Sequence, residues 1–351
     1  MMPFVYNALP MRVVFGSGSL ASLDREVERL GLRRVLVLST PGQEPQAREI
    51  AALLGGRSAG VHAGAVMHTP VAVTEEALAV VRARGADGVV AVGGGSTTGL
   101  GKAIALRTDL PQIVIPTTYA GSEMTPILGE TRDGMKTTQR TPKVLPEVVI
   151  YDVDLTLTLP VGITAASGMN AIAHAVEAFY ARDGNPIVSL MAEDGIAALA
   201  RALPRIVADP GDREARSDAL YGAWLCGACL GAVGMALHHK LCHTLGGTFD
   251  LPHAETHAVV LPHATAYNAP AAPEAMTRIA RALGAEDAAR GLYDLAIRIG
   301  APRSLAAIGM PKSGLDHASN LAVTDPYWNP RPIERTGIRQ LLQDAYDGHP
   351  P

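Results

Sequence analysis

Six of the chain's eleven histidines fall between Leu237 and His263, at positions 238, 239, 243, 253, 257 and 263. Imidazole titrates near neutral pH and is a common metal ligand, so such crowding suits proton transfer or metal binding. On a helix, residues four apart return to nearly the same side. His239 and His243 therefore share a face, and His253 and His257 do so if their segment is helical. One surface can then present several imidazoles to one pocket. The other chemically suggestive spacing, the CxxC of Cys226 and Cys229, lies in the apolar run GAWLCGACLGAVGMA, where small buried cysteines at helical spacing explain it better than redox or metal chemistry.

A second set of residues is spread over two glycine turns. Gly93, Gly94, Gly95, Ser96 and Thr97 follow the apolar run DGVVAV, while Thr117, Thr118 and Ser122 lie in PTTYAGSE after PQIVI. Consecutive glycines have no Cβ to block close backbone approach, and the helix that follows offers unpaired N–H groups to a diphosphate. The pattern is not GxGxxG, and alone it is equally a plain tight turn. Two such turns on adjacent strands favour a nucleotide site. Ser39 and Thr40 end RRVLVLST, where dinucleotide folds often place an acidic residue on the ribose hydroxyls. Thr40 there points to tolerance of both NADH and NADPH.

These turns must be positioned by an alternating α/β pattern. RRVLVLST and DGVVAVGGGS read as buried parallel strands, and LASLDREVERLGL, TEEALAVVRARG and TTGLGKAIALR as helices. After IVIYDVDLTLTLP the composition changes. ITAASGMNAIAHAVEAFYAR, PIVSLMAEDGIAALARALPRIVA and one long run from REARSDALYG through HHKLCHTLGG read as successive helices. The expected fold is an α/β dinucleotide-binding domain over 1–158 followed by an all-helical domain over 159–351, without a flexible linker. Near the C-terminus, Asn329, Pro330, Arg331 and Pro332 form a rigid loop that can close over a site.

The chain has 351 residues, 48% hydrophobic and 18% charged, enough for two packed domains. A net charge of -4 gives no basic footprint for nucleic acid. No charged leader and no apolar run of about 18 residues is present, so a cytoplasmic, unanchored protein with no membrane partner is expected.

In the order GGGS, PTT…GSE, GMNAIAHAVEAFY, HHKLCHTLGG and LPHAETHAVVLPH, the chain resembles the iron-containing, or group III, alcohol dehydrogenase family over essentially its whole length. The resemblance implies the dehydroquinate synthase-like two-domain architecture, an active site in the cleft between the domains, and a homodimer. Metal-dependent members carry an Asp and a His four apart plus two later histidines. Those positions are here Asn170, His174, His239 and His253. An amide is neutral and a poorer ligand than a carboxylate. Three histidines can still hold zinc, but the Asn and the extra His257 resemble a subgroup of reductases acting on a small unsaturated dicarboxylate from aromatic-ring degradation, and no required metal is expected. Gly99, where many relatives have Asp, makes the site less acidic, which suits a dianion. Lys136 stands at the family's lysine position beside the cofactor.

Reduction of a conjugated carbon–carbon double bond adds hydride at one carbon, develops enolate charge, and delivers a proton to the other carbon. The resemblance places His243 as proton donor or relay, with His174, His239 and His253 binding carboxylate or enolate oxygens. Tyr119, Tyr327, Arg331 and His257 are candidates for substrate contacts. The competing readings are a metal-dependent alcohol or aldehyde oxidoreductase of the same family, a dehydroquinate synthase, and a non-catalytic ligand sensor.

Overall fold

Short runs of Val and Ile build the first unit of this computed structural model, which describes residues 4–132, 135–324 and 326–351, with the side chain of Lys136 outside the description. The strands are β1 (Arg12–Phe15), β2 (Val35–Leu38), β3 (Ser58–His62), β4 (Gly88–Gly93), β5 (Gln112–Pro116), β6 (Ile127–Arg132), β7 (Met135–Arg140) and β8 (Val148–Tyr151). Six pair in parallel in the order β1-β8-β5-β4-β2-β3, while β6 and β7 form a separate antiparallel hairpin. Helices α1 (Leu23–Arg29), α2 (Glu44–Leu53), α3 (Val71–Arg84) and α4 (Gly95–Thr108) connect the strands.

Strand β2 shows why the sheet is doubly covered. Val35 and Val37 pack with Leu23, Val27 and Ile50, whereas Leu36 and Leu38 pack with Leu78, Leu100 and Ile104. Successive side chains on a strand point to opposite faces, so α1 and α2 cover one face and α3 and α4 the other. From β2 the chain goes to β3 on one side, then returns to place β4 on the other. The direction of winding reverses between β2 and β4, and ligands of open α/β sheets bind outside the strand carboxyl ends at such a reversal.

The chain divides at Leu159 into this α/β unit and a helical unit that starts at Pro160. The described residues before Leu9 group with the helical unit. Its helices are α5 (Val161–Phe179), α6 (Pro186–Ala208), α7 (Arg213–Ala232), α8 (Leu237–Phe249), α9 (His253–Asn268), α10 (Pro273–Leu283), α11 (Ala288–Arg298), α12 (Leu315–Val323) and α13 (Arg335–Asp347). Small residues let α5 sink into the centre: it is buried throughout Thr164–Ala178 and packs on α6, α7 and α9. A Cβ at Gly168 would lie 2.6 Å from Leu203 Cδ2, so the approach of α6 depends on that glycine.

The long helix expected from Arg213 to Gly247 is broken. It ends at Ala232, continues extended at Val233, and restarts at Leu237 with a bend of 94°. The break has a physical cause in side chains from elsewhere: Asp183 accepts from the Gly234 N–H at 2.9 Å, and Glu177 accepts from the Ala236 and His238 N–H groups at 2.7 Å each. These carboxylates satisfy N–H groups that an uninterrupted helix would have bonded to itself. Cys226 and Cys229 are free, buried thiols whose pKa values burial raises, in keeping with a packing role. Among the described residues no single helix is long and apolar enough to cross a membrane.

Candidate active site

In the α/β unit, the turns after β2, β4 and β5 lie side by side at the reversal point. The Thr117 N–H bonds to the Gly93 carbonyl at 3.0 Å, and Gln43 links the β2 turn to the β5 turn: its amide N–H donates to Thr117 Oγ1 at 3.0 Å, and its Oε1 accepts from the Thr40 hydroxyl at 3.2 Å. Gln43 escaped the sequence reading because its partner Thr117 is 74 positions away. Gly93 has φ +143°, and a Cβ there would meet Thr97 Oγ1 at 2.6 Å and Gln43 Oε1 at 2.7 Å. A Cβ at Gly94 would meet Thr118 Oγ1 at 2.8 Å. Helix α4 starts at Gly95 with no side-chain cap, and Gly95 is exposed with Ser96 half-buried. The first N–H groups of α4 are thus placed to receive an anion. The buried hydroxyls of Ser39 and Thr97 have no hydrogen-bond partner within the protein, as expected of groups that serve a ligand.

Ser122 stands further along, and its carbonyl accepts from Lys102. Lys102 is completely buried, its ammonium also reaching Thr125 O at 2.7 Å, Thr125 Oγ1 at 2.9 Å and Ile127 O at 2.8 Å. Burial still pushes its pKa down to about 7. The space where the resemblance would put an acid, at Gly99, is filled by Thr69, whose Oγ1 would lie 2.4 Å from a Cβ there. Tyr119 is fully buried in this unit. Lys136 pairs with Thr131 in the hairpin register, and its side chain lies outside the described residues.

In the helical unit, three helices bring the histidines together. Asn170 and His174 project from α5, His238, His239 and His243 from α8, and His253 and His257 from α9. Ring centroids are 5.3 Å apart for His174–His239, 5.0 Å for His239–His257 and 4.3 Å for His253–His257. His174 and His239 are buried, His243 is half-buried and His253 is exposed. Burial, then the neighbouring His239 and His253, holds the His174 pKa well below the usual imidazole range. His238 and His257 are depressed for the same first reason. These three rings are neutral at physiological pH.

The organiser of the cluster is Glu177, which the sequence reading missed. Its fully buried carboxylate accepts from His239 Nδ1 at 2.7 Å as well as from the two α8 backbone N–H groups. A carboxylate only accepts, so Nδ1 carries the hydrogen and His239 Nε2 carries a lone pair. The signal was present: Asn170, His174 and Glu177 are four and three apart, one face of a helix.

His257 is deeper than a substrate contact needs: its Nδ1 shares a hydrogen with His238 Nε2 at 3.0 Å, leaving only Nε2 unpartnered. Tyr327 is brought to the cluster, its hydroxyl 3.0 Å from His243 Nδ1. Arg331 is engaged elsewhere: it donates to the Tyr267 carbonyl at 2.8 Å and stacks 4.2 Å from the Tyr267 ring centre. Asn329 pins this loop through a reciprocal amide pair with Asn268, at 2.9 and 2.7 Å.

Comparison with known proteins agrees along the whole chain. Residues 10–153 match the family model described as iron-containing alcohol dehydrogenase, and residues 164–346 that of the Fe-containing alcohol dehydrogenase family, C-terminal. The maleylacetate reductase of Rhizobium sp. (strain MTP-10005) is 61% identical over 351 residues, all of both chains. That of Sphingobium indicum is 61% identical over 350 residues, 100% of this chain and 99% of the relative. The crystal structure of maleylacetate reductase from Agrobacterium tumefaciens matches with a TM-score of 0.97 at 61% identity, covering both chains completely.

These matches correct one expectation. The absence of a required metal does not stand, because both family models describe iron-containing enzymes. The residues present fit a cation: His174 Nδ1, His239 Nε2 and Asn170 Oδ1 are buried atoms without a hydrogen-bond partner within the protein. Neutral imidazoles and an amide oxygen are donors for a divalent ion, although without an anionic ligand they hold it less tightly. His238, Cys242 and His257 also bring ligand atoms within 4.8 Å of one another. That trio fits less well, since two of its nitrogens already share a hydrogen and burial raises the Cys242 thiol pKa well above its usual value.

Proposed function

The chain belongs to the iron-containing alcohol dehydrogenase family of oxidoreductases, and we propose that it reduces the conjugated double bond of maleylacetate, giving 3-oxoadipate with consumption of one NAD(P)H and one proton. The observation that carries this reading is the convergence of three buried neutral histidines with a half-buried fourth, His243, that is hydrogen-bonded to a tyrosine. It is joined by full-length similarity to maleylacetate reductases.

The turns at Ser39–Thr40, Gly93–Thr97 and Thr117–Thr118 would hold NAD(P)H, and His174, His239 and His253 with Asn170 would hold a divalent ion; when bound, these groups would supply the hydride and Lewis-acid polarisation of the ketone oxygen. The remaining work belongs to the protein's own groups. Glu177 fixes the His239 tautomer, so the ring keeps its lone pair toward the pocket. In this mechanism the Tyr327 hydroxyl, 3.0 Å from His243 Nδ1, is assigned as the donor, which would leave the hydrogen of a neutral His243 on Nε2. From there it is delivered to the carbon that does not receive hydride. In the same reading the enzyme is a cytoplasmic homodimer of aromatic-compound breakdown, with no nucleic-acid or membrane partner.

The test is the rate of maleylacetate-dependent NADH and NADPH oxidation, with 3-oxoadipate identified as product. His243→Ala should lower turnover by roughly 100-fold or more while NADH affinity stays within about twofold. Unchanged turnover removes His243 from the mechanism. Absence of 3-oxoadipate with wild-type protein, alongside reduction of simple aldehydes, would replace the reading with an alcohol or aldehyde oxidoreductase.

A further inference from the structure

A dianionic substrate needs cationic partners, and the obvious candidate, Arg331, is spent on Tyr267. Helix α8 carries another cation within the histidine run itself. An α-helix turns about 100° per residue, which places His243 roughly 40° and Lys240 roughly 100° around the axis from His239. His243 thus sits between the other two on the helix surface. His239 is buried at 4% exposure, while His243 and Lys240 are both half-buried.

A separate stripe of α8, Leu237, Leu241 and Leu245, is packed into the core with Ile338 and Leu342. That stripe centres roughly 200° around the axis from His239, so His239 and His243 face away from this core and Lys240 lies on the flank beside His243. Lys240 Nζ lies 5.7 Å from the centre of the Tyr327 ring, whose hydroxyl meets His243. Among the described residues no carboxylate comes within ion-pair distance of Lys240, whereas Arg205, Arg278, Arg281, Arg290, Arg335 and Arg339 of the same unit have acidic partners. A cation held over an aromatic ring, beside the proposed proton donor and without its own anion, is placed to receive one from outside.

We propose that Lys240 is a specificity-determining residue that binds one carboxylate of the substrate dianion while the reacting carbons lie toward His243 and the histidine pocket. The inference rests on the proposed function for its substrate, and adds to it the group that selects a dicarboxylate over a neutral carbonyl compound.

Lys240→Gln and Lys240→Arg should be compared with wild type in steady-state kinetics, together with calorimetric binding of 3-oxoadipate to each protein saturated with NADH. Lys240→Gln is expected to raise the KM for maleylacetate and the dissociation constant of 3-oxoadipate about tenfold, equivalent to about 1.4 kcal/mol. Its kcat should stay within about threefold and its KM for NADH should be unchanged, as expected for loss of uniform binding. Lys240→Arg should recover most of the affinity. A purely structural role through Tyr327 would lower kcat instead, as Tyr327→Phe should. Unchanged maleylacetate KM and 3-oxoadipate affinity in a folded Lys240→Gln protein would overturn the proposal. Failure of wild type to turn over maleylacetate would instead refute the proposed function, while 3-oxoadipate affinity would still decide the role of Lys240.

Discussion

Replacement of Glu177 by glutamine tests whether one buried carboxylate assembles the histidine cluster. Three donors face it at 2.7 Å: Ala236 N–H and His239 Nδ1–H toward Oε2, and His238 N–H toward Oε1. An amide has one oxygen, so in either orientation at least one of these donors meets an N–H group. Net hydrogen bonds to a charged group contribute roughly 1.5–3 kcal/mol, and a buried donor left unpaired costs roughly 1–3 kcal/mol. Glu177→Gln should therefore destabilise the protein by on the order of 3 kcal/mol, and Glu177→Ala by about 5 kcal/mol, since it strands all three donors. That is a large part of the roughly 5–15 kcal/mol that holds a typical protein folded.

Where the amide NH2 faces the ring, His239 must also adopt the other tautomer, placing a hydrogen on Nε2 and removing its lone pair. Urea unfolding measures the first effect, and nitrogen NMR shifts of labelled histidine measure the second. A variant within about 0.5 kcal/mol of wild type, with the His239 tautomer unaltered, would refute the argument that Glu177 organises the site.

Other outcomes follow from single groups. His263, buried in α9, has its pKa pushed down to about 4 by desolvation, against about 6.5 in an unfolded chain. The unfolded state binds the extra proton first, so this contribution is present above about pH 6.5 and is lost as pH falls toward about 4. His263→Gln should flatten the urea-measured stability profile in that window by about 1.4 kcal/mol per pH unit; an identical slope would show that His263 does not titrate there. Gly93→Ala should weaken NADH binding tenfold or more in a fluorescence titration, because its Cβ would press on Thr97 and Gln43 at a backbone angle disfavoured for alanine. Asn170→Asp should raise zinc affinity at least tenfold in a chelator competition, by adding an anionic ligand beside His174 and His239; equal affinities would place the ion elsewhere.

Local pattern revealed much of this protein. The alternation of apolar runs and helices, the glycines after DGVVAV, and the four-residue spacing of His239 with His243 depend only on near neighbours, where backbone geometry makes periodicity informative. The α/β and helical units, the turns of β4 and β5, and the histidines of α8 and α9 were legible for that reason, whereas Asn170 and His174 of α5 stood out only through the family resemblance.

Tertiary structure alone decided how these pieces are used. The reversal between β2 and β4 is a property of strand order, and no segment contains it. The break before α8 looks like a continuous helix in the sequence, because the groups that reward it, Asp183 and Glu177, are 51 and 59–61 positions away. The same long-range pairing gave His257 to His238 and Arg331 to Tyr267, leaving His243 with Tyr327 at the rim. Residue type and spacing state what a side chain can do. Which partner it meets is settled only by folding, since buried polar groups take whatever donors and acceptors the packed helices bring within reach.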